Sequence, residues 1–454
     1  MVDSSVNYQL TTSQKVVAAL ADYVHSLELL SLIAVVDFEC EINEEVLLEA
    51  ISKTAKRLPY CNVRFRRLED GSVVQYSCEE EPEPVEVVDF TLESEEEQEE
   101  QFREWNSEAF PGNFENIQLY QFKLLRYPDG HHGLFFAFQH FIMDGYAGIY
   151  TLHYLSKVYI ALLRGKELPA PGPEPWKLVE DDIAYHASPR YQKGLEKLSA
   201  QYETEPCFAS LNGRGAPEFI EDKRYGRSQN FSQFGGSVIR HPLSPVLSKR
   251  IENEAKRLNI SAQNFYLLAL RSYLGRVSET DDVTVITLLA CRSTLFEKQC
   301  GLNTADAQLV RSIIPDSCSF GDAVLKLADI QNEELRYAKV INNDILRILR
   351  NRFDVPQDCT YAPAWMSFFP AVTFEEGQLD LTVRFISNGW ATSPFYMLVL
   401  PDSNRGTQSA TYWYAVGYTF PESIERFHAF MLKFLEKGIG QPDRTLGELI
   451  DESL

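Results

Sequence analysis

GLFFAFQHFIMDGYA, residues 133–147, decides the reading of this chain. It opens with the apolar run from Leu134 to Phe138, too short to span a membrane and rich in aromatics, which predicts a buried strand. Gln139 and His140 follow, then Phe141-Ile142-Met143, then Asp144-Gly145. Beyond the glycine the period changes. Ile149, Leu152, Leu155, Val158, Tyr159 and Leu162 fall at spacings of three and four, predicting a helix over 145–163. A titratable imidazole thus stands at a strand end, ahead of a turn and a helix N-terminus. Such a placement holds a side chain rigidly and still lets it face a cleft. Taken alone, the pattern also describes a satisfied structural histidine, with Asp144 closing a turn or capping the helix.

The flanks extend the pattern. Residues 116–127 alternate as a strand, Pro128-Asp129-Gly130 turns the chain, and His131-His132-Gly133 lead into the central strand. A hairpin is therefore expected to deliver His140. His131 and His132 belong to an exposed turn in this reading and are given no role. Upstream, the sequence predicts a helix over 15–30 capped by Thr12 or Ser13, a strand over 31–41, a helix over 46–57 stopped by Leu58-Pro59, and a strand over 62–66 before a turn at 69–72. The acidic runs at 79–84 and 93–100 read as a solvated loop and a solvated helix face. Residues 164–175, RGKELPAPGPEP, form the strongest linker signal. They divide the chain into halves, 1–175 and 176–454, with the boundary near 175–190. The second half repeats the alternation: helices at 190–202, 244–258 and 261–274 (capped by Ser261), strands at 282–290 and 307–314, and one helix over 320–349. Strands at 366–374 and 410–418, an extended segment at 377–386 and a terminal helix at 420–438 follow.

Composition bounds the function. The 454 residues, 44% hydrophobic, suffice for two cores. A net charge of −22 makes nucleic acid and anionic membrane poor partners. No apolar window is long enough for a membrane span, and the N-terminus lacks the basic and apolar regions of a signal peptide. The eight cysteines show no C-x-x-C pair, so scattered reduced thiols in a cytoplasmic protein are expected, with no metal site.

Q-H-F-I-M-D-G at 139–145 resembles the H-H-x-x-x-D-G signature of condensation domains from nonribosomal peptide synthetases. These are one branch of the chloramphenicol-acetyltransferase-like acyltransferase superfamily. The likeness continues in order along nearly the whole chain. Tyr185 and its neighbours resemble a Y-x-D-Y-A phrase; Ala290-Cys291-Arg292 resembles the arginine after a buried strand; Gly301-Leu302-Asn303-Thr304 resembles G-x-F-x-N-T; Leu379-Asp380-Leu381 resembles F-D-L. The departures are Gln139 in place of the first histidine and Ala147 in place of a serine. The D-F-G-W-G motif of plant acyltransferases is lacking, Ser387-Asn388-Gly389-Trp390 being a poor match.

The resemblance implies an α/β fold of two acetyltransferase-like lobes forming a V-shaped pseudo-dimer, with mixed sheets flanked by helices. It implies a free-standing acyltransferase moving an acyl group from a thioester, on coenzyme A or on the phosphopantetheine of an acyl or peptidyl carrier protein, to a small amine or hydroxyl acceptor. No bound cofactor is implied. By resemblance His140 is general base or acceptor-positioning group, and Asp144 is a structural carboxylate paired with Arg292. Gly145 is expected to let the backbone turn tightly. Gln139 and Asn303 are the candidate substrate contacts, Asn303 also fitting a turn. Either anionic donor calls for basic side chains, and three clusters offer them: Arg64, Arg66 and Arg67; Lys249, Arg250, Lys256 and Arg257; Arg347, Arg350 and Arg352. The competing reading is a catalytically silent recruiting module, which Gln139 and Ala147 favour.

Overall fold

Five aromatic and aliphatic side chains, Leu134 to Phe138, have no solvent exposure. They belong to the strand His132–Gln139, the middle strand of a five-stranded sheet in the computed structural model. The sheet order is Leu381–Ile386, Ser31–Phe38, His132–Gln139, Tyr120–Arg126, Glu86–Asp89. Burial on both faces explains the unbroken apolar run, since neither side of the strand needs polar residues. The hairpin is present: Tyr120 pairs with Phe138 and Arg126 with His132, antiparallel. The helix Gly145–Leu163 follows at once and lies so close that a Cβ on Gly148 would sit 2.5 Å from the Phe138 ring. Residues 6–24, 26–91, 94–228, 235–369, 379–391, 393–401 and 407–454 are described here. Glu93 of the acidic run, the expected strand beyond Phe369, residues 377 and 378, and the first five residues of the N-terminus lie outside them.

A second sheet has six strands in the order Asp306–Ile313, Asp282–Leu289, Ala364–Phe368, Phe395–Pro401, Gln408–Ala415, Gly236–Pro242. The helices Gln263–Val277, Phe320–Leu335 and Pro421–Gly440 share its core. Both sheets mix parallel and antiparallel pairs and are flanked by helices.

The division of the chain at 175 does not follow the sheets. The strand Leu381–Ile386 comes from the second half and completes the first sheet, with Ile33 opposite Ile386 and Phe38 opposite Leu381. Trp176, Leu178, Val179, Cys300 and Leu302 also pack in the first core. Short alternating segments carry no signal of which sheet they join, because the pairing partner is chosen by tertiary contact.

Other local differences have identifiable causes. The first helix is Thr12–Val24, and a 3-10 turn, Glu28–Leu30, leads into the strand. Its cap is Thr11, one residue upstream of expectation: the Gln14 N–H donates to the Thr11 hydroxyl at 3.2 Å, and the Thr11 N–H donates to the Gln14 side chain at 2.8 Å. Ser261 accepts from the Gln263 N–H at 3.2 Å, one residue before the N-cap Ala262. The expected helix over 320–349 is two, Phe320–Leu335 and Asn342–Phe353. Between them Val340 is buried and packs with Tyr337 so tightly on Gly194 that a Cβ there would meet both within 2.9 Å. That anchoring takes the chain out of the helix line. His131 and His132 both have partners: His131 stacks on Tyr127 and pairs with Asp129, while half-buried His132 lies 3.5 Å from Glu44. All eight cysteines are free thiols, and among the described residues no helix is long and apolar enough to cross a membrane.

Candidate active site

Successive side chains of a strand point to opposite faces. At the end of His132–Gln139 this sends Gln139 and His140 in different directions. Gln139 is fully buried, its side-chain amide donates to the Leu27 carbonyl at 2.9 Å, and it does not line the cavity. The expectation that Gln139 contacts substrate is therefore overturned; it fixes the segment before Ser31. His140 donates its backbone N–H to the Leu30 carbonyl at 2.9 Å and its ring lines a cavity of about 900 Å³. Removal from bulk water holds the imidazole below its ordinary pKa, although the Asp144 charge and a hydrogen bond with the Met143 backbone act the other way.

Asp144 and Arg292, from opposite halves of the chain, meet at 2.6 Å with side chains 2% and 1% exposed. The carboxylate is fully used. One oxygen accepts the Ala147 N–H at 2.9 Å and caps the helix Gly145–Leu163. The other accepts from Arg292 and from the backbone N–H groups of Thr304, at 3.1 Å, and Ala305, at 3.2 Å. The guanidinium donates onward to the carbonyls of Ala290 at 3.0 Å, Gly301 at 3.2 Å and Leu302 at 2.7 Å. It also lies over the Tyr146 ring at 5.0 Å. A buried pair is stable only when its remaining donors and acceptors find partners, and here nearly all do; the Arg292 Nε is the exception. The pair clamps the turn after His140 to the loop at 301–305, and Met143 bridges to Leu302.

Gly145 has no positive φ, so the tight-turn role expected for it is overturned. Its Cβ would stand 3.3 Å from the Phe369 ring, so close approach is what constrains the position. Ala147 is buried under the Asp144 cap and away from the cavity. Asn303 both lines the cavity and makes a turn, accepting the Ala305 N–H at 3.1 Å. Among the basic clusters, Arg64 is buried against the Cys61 and Val63 carbonyls, Arg67 pairs with Asp22 and Arg257 with Glu254. Arg350 is the member that reaches the cavity, together with Lys15 and Lys339.

Part of the cavity wall was given no role in the sequence reading. Asp182 and His186 lie one turn apart on the helix Trp176–His186, a spacing that places them on one face. Asp182 accepts the Thr12 N–H at 2.7 Å and the Thr12 hydroxyl at 2.9 Å, which ties this helix to the start of the first one. Asp306, two residues beyond Thr304, also lines the cavity, and desolvation pushes its pKa up to about 7. Ser387–Trp390, unremarkable as a motif, has a structural task. The Asn388 side chain donates to the carbonyls of Glu28 and Ser31, each at 2.9 Å, at the entry to the strand beside His140.

The Condensation domain family matches residues 5–350. This chain belongs to the condensation-domain family. It is 22% identical to a plipastatin synthase of Bacillus subtilis (strain 168) over 453 residues, 98% of this chain and 17% of that protein. With a surfactin synthase of the same organism it shares 22% over 415 residues, 89% of this chain and 11% of that one. The condensation domain therefore spans less than a fifth of either relative. Its fold is that of the first condensation domain of the calcium-dependent antibiotic synthetase in complex with a substrate analogue, at TM-score 0.81, 17% identity and coverage of 98% and 99% of the two chains. The starter condensation domain of rhizomide synthetase in complex with C8-CoA superposes at TM-score 0.80 with 15% identity, covering 98% and 97%.

Proposed function

We propose that this condensation domain transfers an acyl group from a thioester to an amine or hydroxyl acceptor, with His140 as general base or acceptor-positioning group. The observation that carries this reading is His140, held directly after a buried strand and on the wall of a cavity of about 900 Å³. The acceptor heteroatom attacks the thioester carbonyl carbon and passes its proton to the imidazole. The carbon–sulfur bond then breaks, and the thiol leaves with a proton. A neutral imidazole suits that step, because it can take a proton near neutral pH. Asp144 and Arg292 serve by holding the turn after His140, and neither is asked to touch substrate.

Coenzyme A and the phosphopantetheine of a carrier protein are both fitting donors, and a cytoplasmic reaction is consistent with either. The likeness to a starter domain holding C8-CoA supports an acyl-coenzyme A donor, and the relatives' synthetases support a carrier protein. Apolar lining from Val17, Leu20, Leu29, Ile286, Leu288 and Trp365 suits an aliphatic acyl chain. The two departures that favoured a silent module, Gln139 and Ala147, both lie off the cavity, so neither alters its lining. The test is mass spectrometry of products after incubating the protein with a panel of acyl thioesters and amines. A product that needs His140 supports the reading. Turnover unchanged in His140→Ala sinks the base assignment.

A further inference from the structure

The cavity that holds His140 has more apolar surface than the transfer chemistry itself uses, and part of it lies on the first helix. Thr12–Val24 buries Val17, Ala18 and Ala21 in the first core. Val16, Ala19, Leu20 and Tyr23 recur at spacings of three and four, so they share another face, and all four line the cavity. Val16 is 40% and Tyr23 65% exposed. A helix that is apolar beyond its core-facing stripe has a second surface to cover. From Val16 to Tyr23 that surface runs about 10 Å along the helix axis. It is too long for a single ring and suits an extended chain.

A second apolar surface on the same cavity comes from the other half of the chain. Alternate residues of the strand Asp282–Leu289 divide between two faces: Val283 and Val285 enter the core of the second sheet, while Ile286 and Leu288 line the cavity. Ala307 pairs with Leu288 on one side and Trp365 with Ile286 on the other, which extends this face over three adjacent strands. The helix Asn342–Phe353 adds half-buried Leu346. Ile286 is 5% exposed and Leu288 half-buried, so the floor is recessed: a slender ligand can reach it and a folded partner cannot. Charged side chains share the cavity, but most are committed within the protein: Lys339 to Glu297, Asp344 to Arg347, Arg350 to the Gln357 carbonyl and Asp182 to Thr12. Apolar surface bordered by polar groups in this way marks a ligand groove.

We infer that these two surfaces seat the unbranched aliphatic chain of the acyl donor. The assignment rests on the acyl-transfer reading and narrows its donor to fatty acyl thioesters. An alkyl chain has no polar group to satisfy, and each methylene withdrawn from water onto Leu20, Ile286, Leu288 or Trp365 adds to affinity. Trp365 is the tryptophan that lines the cavity, so it reports on the chain directly.

Binding tests this without turnover. Decanoic acid, hexanoic acid and methoxyethoxyethoxyacetic acid, an ether chain as long as decanoic acid with the same carboxylate, are titrated into the full chain by calorimetry. Decanoic acid is expected to bind at least about a hundredfold more tightly than hexanoic acid, because four further methylenes are buried, and at least about tenfold more tightly than the ether. Val16→Asn, at an exposed position of the helix, and Leu288→Asn, on the sheet, are each expected to weaken decanoic acid about tenfold. The first should melt as wild type does, so the test does not depend on the second variant folding. At saturation 10-bromodecanoic acid should quench wild-type tryptophan fluorescence, and most of that quenching should be lost in Trp365→Phe. Decanoic acid that binds no better than the ether, that is insensitive to Val16→Asn, or whose bromo analogue quenches Trp365→Phe as fully as wild type overturns the proposal. Chain-length-dependent binding with no transfer to any acceptor would leave the chain site standing and sink the acyl-transfer reading. Transfer that depends on the chain length of the acceptor and not of the donor would sink the chain site alone.

Discussion

His140 and the pair beneath it behave differently under mutation because only one of them is structural. His140→Ala strands no charge, so melting should stay near wild type while transfer falls by about 10²–10⁴. Asp144→Ala leaves the Arg292 guanidinium buried and unpaired, which typically costs about 3–5 kcal/mol, so stability and activity should fall together in a denaturant titration. The pH profile follows from burial. Because burial holds His140 below its ordinary pKa, the acid limb of kcat/KM should lie on the acid side of the ordinary imidazole value and vanish in His140→Ala. Asp306 has the opposite sign. Its folded pKa near 7 lies above the unfolded carboxyl value of about 3.9, so the folded state keeps a proton that the unfolded chain releases. Its destabilising effect is absent below about pH 4 and complete above 7. Melting of wild type relative to Asp306→Asn should accordingly decline across that window, with Asp182 and Asp344 reinforcing the trend.

At the scale of the element, the loop at 301–305 matters as much as the histidine turn, since its carbonyls receive the Arg292 guanidinium. Gly301 has φ +62°, and a Cβ there would fall 2.1 Å from the Tyr60 ring, which is itself fully buried and bonded to Thr151 at 2.8 Å. Gly301→Ala should therefore cost on the order of 3 kcal/mol from strained backbone and overpacking together. A melting curve close to wild type would show that the loop can move, and with it the Arg292 clamp. The family likeness of Gly301-Leu302-Asn303-Thr304 pointed to this loop from sequence. The positive φ and the ring contact were not legible there, because both depend on Tyr60, far away along the chain.

For the whole molecule, the strand Leu381–Ile386 makes the two halves inseparable. Residues 1–175 alone would lack it and leave Ser31–Phe38, with Ile33 to Val36 buried in the intact chain, as an open apolar edge. Such an edge promotes aggregation. Expressed alone, that fragment should be insoluble or oligomeric by gel filtration, and coexpression with residues 176–454 should recover a soluble complex. A monomeric, folded 1–175 fragment would contradict the dependence on the exchanged strand.

The sequence by itself determined the strand, turn and helix around His140, because apolar runs, Asp-Gly and a change of period act over a few residues. It also placed Asp144 and Arg292 in ordered motifs, enough to expect their pairing through the family likeness. Tertiary structure decided what spacing cannot encode. The pleat sends Gln139 into the core while His140 faces the cavity, and pairing partners rather than chain order assign Leu381–Ile386 to the first sheet. Asp306 and Asn342, distant along the chain, meet only because a strand and a helix N-terminus pack together. The two main-chain N–H groups that hold the Asp306 carboxyl are likewise a property of the folded surroundings alone.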